Sequence, residues 1–261
     1  VEIRSETRLG ILFADLGGAA GPIDGYLAPL REALAEHELD VVIPVEDDEG
    51  ALARTGRFLR TNWKTYLENA AINVLHEAFT HELCRKSPDV PRVRDGNKTH
   101  FTLANGPLMA LGYDIGHFAK TYGLDGTMPH IGRGGRPPRK GYFITYYPNI
   151  VIPIRHGLFR VNICLPEAPD RTRILHCGFM HPNVGAWDGF SAFRKKVAAG
   201  YKEVYAEDGR AVEAVQAARR SPVWRQHYYA PFWDSQHYHL NKLVAADLMA
   251  RRMRHTASHR R

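Results

Sequence analysis

The chain has 261 residues, 44% of them hydrophobic and 24% charged, enough for one domain with a well-buried core. No stretch reaches the roughly 20 consecutive apolar residues of a membrane span, the N-terminus lacks the order of a secretory signal, and Cys84, Cys164 and Cys177 form no paired disulfide framework. The formal charge of +7 is concentrated in the loop Arg133–Lys140 and in the tail from Arg251 onward, so it reads as local surface and not as a nucleic-acid face. These features lead to the expectation of a cytoplasmic protein without nucleic-acid or membrane partners.

Val1 to Leu16 alternates loosely and predicts one or two strands before the turn Gly17-Gly18. Pro22 to Glu38 is largely helical in pattern, with Tyr26, Leu27, Leu30 and Leu34 on one side and Pro29 as a kink or a late start. Leu39 to Val45 is mostly β-branched and apolar, and Ala51 to Thr61 leads on to the stretch NWKTYLENAAINVLHEAFTH, residues Asn62–His81. Its apolar positions Tyr66, Leu67, Ala70, Ala71, Val74 and Leu75 recur at helical spacing.

His76 and His81 stand five residues apart, a step of about 500° on a regular helix, which leaves the rings roughly 140° apart. Both can meet one ion only if the helix breaks or loosens between Glu77 and Thr80. The zinc-protease helix motif is excluded, because its second histidine falls four residues after the first and that position is Thr80.

After His81 comes a Pro- and charge-rich loop, Lys86 to Lys98, then Leu103 to Tyr122 without firm periodicity. Gly132–Lys140 is Gly- and Pro-rich but lacks the spacing of a phosphate-binding loop, and reads as exposed. Strands are predicted for Tyr142–Tyr147, Ile150–Ile154, Leu158–Leu165 and Arg173–Met180, joined by short turns that include Pro148-Asn149 and His156-Gly157. Phe159, Val161, Ile163 and Leu165 face one side, against Arg160 and Asn162, and the short links favour an antiparallel meander. Asp188–Arg220 is helical and contains the acidic pair Glu207-Asp208. Asp234 follows the aromatic run Tyr228–Trp233, where it suits a helix N-terminus, and Leu240, Leu243, Val244 and Leu248 mark the core side of that last helix.

Trp63-Lys64, Glu68-Asn69, His76 and His81, followed downstream by Glu207-Asp208, Glu213 and Gln216, together resemble the catalytic domain of Rieske non-heme iron oxygenases, the ring-hydroxylating oxygenase alpha subunits. The resemblance implies an α+β helix-grip (START-like) fold, a curved antiparallel sheet packed on helices. It implies Fe(II) held by His76, His81 and Asp208, with Asp234 as the alternative carboxylate. Such a facial triad keeps positions open for dioxygen. Asn69 would support the site, and Leu108, Met109, Tyr113 and Phe118 are candidates for the substrate pocket by position, with core or lid packing as the alternative. Asn73 stands where the family usually has an acid that passes electrons from a neighbouring subunit's cluster, and Leu75 where it often has tyrosine.

The same resemblance implies hydroxylation, dihydroxylation or dealkylation of a small organic substrate, an aromatic one in the first place, in a homotrimer. Electrons would come from NAD(P)H through a flavin reductase, a ferredoxin or both, and through a Rieske [2Fe-2S] cluster. The Cys-x-His and Cys-x-x-His pairs of such a cluster do not occur here. The expectation is therefore of connecting strands at 1–20 after a missing cluster domain, a catalytic domain at 21–254 and a basic tail at 255–261. Two rivals remain open: a helix-grip ligand-binding domain without redox metal, and a zinc hydrolase on the same triad.

Overall fold

The computed structural model describes residues 2–45, 55–86, 100–114, 129–154, 157–231 and 233–258. The expected loop at 87–98, the pocket candidate Phe118, the turn residue His156, and Phe232 of the aromatic run lie outside these. A hairpin of β1 (Arg4–Arg8) and β2 (Ile11–Asp15) precedes α1 (Ile23–Ala33), which contains Pro29. A 3-10 turn at Leu39–Val41 and the two-residue strand β3 (Ile43–Pro44) follow. Then come β4 (Thr55–Leu59), α2 (Trp63–Ala70), a π-helical turn at His76–Thr80 and α3 (Glu82–Lys86).

The body of the sheet is β5 (His100–Asn105), β6 (Leu108–Asp114), β7 (Lys140–Tyr146), β8 (Ile150–Ile154), β9 (Leu158–Ala168) and β10 (Arg171–Met180). The chain closes with α4 (Pro182–Gly185), the 30-residue α5 (Phe190–Arg219) and α6 (Ser235–Ser258). Among the described residues no helix is long and apolar enough to cross a membrane.

Consecutive hairpins give an eight-stranded antiparallel sheet in the order β3-β10-β9-β8-β7-β6-β5, with β4 also paired to β10. Because side chains alternate across a strand, the sheet buries two different faces. On one, Ile150, Ile152, Ile154, Phe159 and Val161 pack with Leu27, Leu30 and Leu34 of α1 and with Ile11 of the hairpin. On the other, Met109, Val151, Cys164 and Ile174 pack with Tyr66, Leu67 and Ala70 of α2, Val212 of α5 and Leu240 of α6.

This arrangement corrects the helix-grip expectation. The sheet is an open path whose end strands do not pair with each other among the described residues, and it is covered on both faces instead of being curled around helices. Alternating polarity gives the direction of side chains but not the curvature of a sheet or the number of layers on it. On α6, Leu240 is buried as expected, whereas Leu248 is 62% exposed.

Several bonds lock α2 to α5. The backbone N–H of Arg60 donates to Glu213 and that of Asn62 to Gln216, both at 2.9 Å, and Thr61 Oγ1 donates to the Val212 carbonyl. Arg219 reaches back to Thr65 Oγ1 at 2.8 Å and to Glu68 at 2.5 Å, and Asn241 of α6 holds the other Glu68 oxygen at 3.0 Å. Glu213 and Gln216 therefore fasten the start of α2, and with it everything that α2 leads to.

Candidate metal centre

The site begins with caps. Asn62 Oδ1 accepts the N–H of Lys64 at 3.0 Å and starts α2. The helix ends when Ala71 leaves helical geometry at φ −76°, ψ 59°. A second start follows at once, because Asn73 Oδ1 accepts the N–H of His76 at 3.0 Å, the bond of an N-cap to its third helical residue. The new turn is π-helical over His76–Thr80 and ends with His81 in extended geometry. A π turn bonds residue i to i+5, so side chains five apart come onto one side.

The loosening that a shared ligand requires is present. His76 Nε2 and His81 Nε2 lie 3.0 Å apart, and Asp208 Oδ1, from the middle of α5, lies 3.5 Å from the first and 3.8 Å from the second. One donor atom from each of these three residues falls within 4.8 Å of the others. Two nitrogens bound at about 2.1 Å and at right angles to one ion stand about 3.0 Å apart, so the histidine pair matches two ligands of one metal, and Asp208 Oδ1 lies near enough to both to be the third.

The surroundings prepare each donor. His81 Nδ1 is 2.9 Å from Glu207 Oε2, which fixes that proton at Nδ1 and leaves the Nε2 lone pair for a metal, while Glu207 Oε1 accepts the N–H of Glu82. Asn69 Nδ2 donates to Asp208 Oδ1 at 3.0 Å. Burial opposes the charge on Asp208, yet the His76 hydrogen bond, the charges of His76 and His81 and the Asn69 amide together hold its carboxyl below the usual range.

Asn69 thus touches a triad member, whereas Asn73 uses both ends of its amide within the chain, donating to the Trp233 carbonyl at 3.2 Å. Asp234 is elsewhere: its carboxylate accepts the Ala230 N–H and meets His237 Nδ1 at 3.1 Å at the head of α6. His239 meets the Gly106 carbonyl at 2.8 Å.

A cleft opens beside the triad, walled by Tyr66, Ala70, Ile72, Phe143, Val151 and Pro153, with Tyr201 and Tyr205 from α5. Leu108, Met109 and Tyr113 are not among its described walls and are buried in the core instead. Glu77 lines the cleft, and its Oε2 lies 2.8 Å from His100 Nε2, both side chains nearly enclosed. Sequence reasoning missed this pair, as it missed the partner role of Glu207. Glu77 had a signal only as the neighbour of His76.

Residues 33–250 match the family described as ring hydroxylating alpha subunit (catalytic domain). The chain belongs to this family. No curated protein matches it by sequence. Among solved structures, the apo form of the quaternary ammonium Rieske monooxygenase CntA is 13% identical with a TM-score of 0.63, over 94% of this chain and 59% of that one. Naphthalene 1,2-dioxygenase from Rhodococcus sp. bound to indole is 14% identical with a TM-score of 0.56, over 84% of this chain and 54% of that one. The chain spans little more than half the length of these family structures, and at such identity the likeness is one of fold.

Proposed function

We propose that this chain is the catalytic domain of a Rieske-type oxygenase, with Fe(II) held by His76, His81 and Asp208. The observation that carries this reading is the convergence of two Nε2 atoms 3.0 Å apart on one carboxylate oxygen, in a chain of the ring-hydroxylating family. Bound Fe(II) with open positions supplies activation of dioxygen beside an organic substrate.

The chain's own residues do the rest. Glu207 and Asn69 orient His81 and Asp208. Asn73 is a positioning residue that caps the turn carrying His76. The apolar walls exclude water and hold a small, largely apolar substrate, and Glu77 at the wall is held by His100. An aromatic substrate and aromatic-compound catabolism suit these walls, and naphthalene dioxygenase binds indole. A quaternary amine is the other class, since CntA is a quaternary ammonium monooxygenase.

The remaining parts come with the family. They are a Rieske [2Fe-2S] cluster as the immediate electron source, NAD(P)H behind a ferredoxin or flavin reductase, a cytoplasmic homotrimer, and the division into 1–20, 21–254 and 255–261. Because both ends of the Asn73 amide are engaged inside the chain, the reading has no charged side chain at this position to bridge subunits.

Anaerobic reconstitution with Fe(II) and metal analysis tests the reading. About one iron per chain is expected, lost in His76→Ala and in Asp208→Ala. Full iron content in either variant overturns the triad. Selective retention of zinc with hydrolytic turnover transfers the site to the hydrolase class.

A further inference from the structure

Besides Glu77, the cleft carries a second buried polar side chain to which the metal site gives no task. Asn162 lies in the middle of β9, is 4% exposed and lines the cleft. Its cross-strand neighbours are Val151 on β8 and His176 on β10. The Asn162 Oδ1 atom is 2.8 Å from His176 Nδ1.

The state of His176 decides which end of the amide faces the cleft. Its ring is 3% exposed and stacks on Tyr205 at 4.9 Å, and the same tyrosine ring lies under the guanidinium groups of Arg57 at 4.5 Å and Arg160 at 4.9 Å. Burial first, then the charges of Arg160 and Arg57, push the His176 pKa down to about 3, so the imidazole is neutral and carries one N–H. Nε2 is buried without a hydrogen-bond partner among the described residues. In the field of two guanidinium groups a lone pair at Nε2 is favoured over an N–H dipole, which puts the proton on Nδ1. Nδ1–H then donates to Asn162 Oδ1. The Asn162 amide NH2 group, which has no acceptor among the described residues, is left to the cleft.

We infer that Asn162 is a specificity-determining residue whose Nδ2 donates a hydrogen bond to an oxygen acceptor on the substrate, with His176 as the positioning residue that aims it. The inference rests on reading the cleft as the substrate site. It narrows the substrate class to small, mostly apolar molecules bearing a carbonyl, carboxylate or hydroxyl oxygen. A bare hydrocarbon would leave the buried NH2 unpaired, and a site built to hydrogen-bond discriminates most strongly against the ligand that lacks the partner.

The test uses two probes of one shape, acetophenone and α-methylstyrene, which differ in C=O against C=CH2. Equilibrium dialysis on iron-loaded protein gives both dissociation constants, and iron is measured on the same samples so that a failed metal site is read separately. The ratio of the constants is expected to shift by about tenfold against acetophenone in Asn162→Leu. It should shift in the same direction in Asn162→Asp, which has no donor, and in His176→Phe, which frees the amide to turn. An unchanged ratio in Asn162→Leu overturns the inference, as does equal loss of both probes in Asn162→Leu and Asn162→Asp, the result of a packing role. Failure of both probes to bind the unmodified protein overturns the cleft reading and the inference with it.

Discussion

The Nε2 atoms of His76 and His81 stand 3.0 Å apart, a separation the chain reaches only by leaving the α-helix between them. On a regular helix their rings would diverge by roughly 140°. The π-helical turn, capped by Asn73 and followed by extended backbone at His81, brings them together. Asp208 then needs no local irregularity. It sits inside a continuous helix that Glu213, Gln216 and Arg219 bind to α2, so the two halves of the site are placed by packing contacts some 5 to 11 residues further along α5.

Glu207 should govern metal affinity without being a ligand. Its Oε2 fixes the Nδ1 proton of His81 and its Oε1 holds the Glu82 N–H. Loss of such a partner weakens metal binding by roughly 10- to 100-fold. Glu207→Ala is expected to fall in that range by chelator competition, and Glu207→Gln, which keeps one acceptor oxygen, to fall less. Wild-type affinity in Glu207→Ala would mean that the His81 ring is held by other contacts.

Asn69 should set the pH at which iron is released. Its amide is one of the groups that hold the Asp208 carboxyl low against burial. In Asn69→Ala that help is gone and the carboxyl takes its proton at higher pH. Iron release on acidification should therefore move to higher pH, measured as retained iron after dialysis across a pH series. A release midpoint that stays in place, or moves down, contradicts the role.

The helix start at Asn62, the strands after Gly141 and the buried sides of α1 and α2 were legible because caps and periodicity are local signals. Residues 108–114 and 150–154 are harder to read. β6 and β8 are buried on both faces, so they show no polar alternation to reveal how many layers cover the sheet, and nothing in their pattern could correct the helix-grip expectation that the resemblance brought. The histidines and Asp208 stood out as ligands through family resemblance, in which Glu207 counted only as the neighbour of Asp208 and not as a partner of His81. That role did not show, since an acidic residue on a long helix looks like a solvated one, and His100 meets Glu77 only through tertiary structure 23 residues away.

Arg219 should be worth more to stability than a surface arginine. Its guanidinium joins Thr65 and Glu68, and the Glu68 side chain is 16% exposed. Arg219→Ala leaves a largely buried carboxylate with Asn241 as its remaining hydrogen-bond partner among the described residues. A loss of about 2 kcal/mol is expected, read as a lower urea midpoint with an unchanged slope. A loss below about 0.5 kcal/mol would place the pair with exposed ion pairs.

Two buried histidines predict how the metal-free protein responds to acid. Burial pushes the His37 pKa down from 6.5 to about 4, and burial with the Arg160 and Arg57 charges takes His176 from 6.5 to about 3. Below pH 6.5 the unfolded chain therefore binds protons that the folded chain refuses, so stability falls as pH falls. Above pH 6.5 neither residue contributes a slope. The loss begins near pH 6.5 and runs on to about 4 for His37 and about 3 for His176. By pH 5 each accounts for about 2 kcal/mol. Urea unfolding at pH 7 and pH 5 measures the difference directly, and in His37→Phe that difference should shrink by about 2 kcal/mol whatever the variant's absolute stability. If the difference is the same in wild type and variant, His37 is protonated in the folded state or reaches solvent.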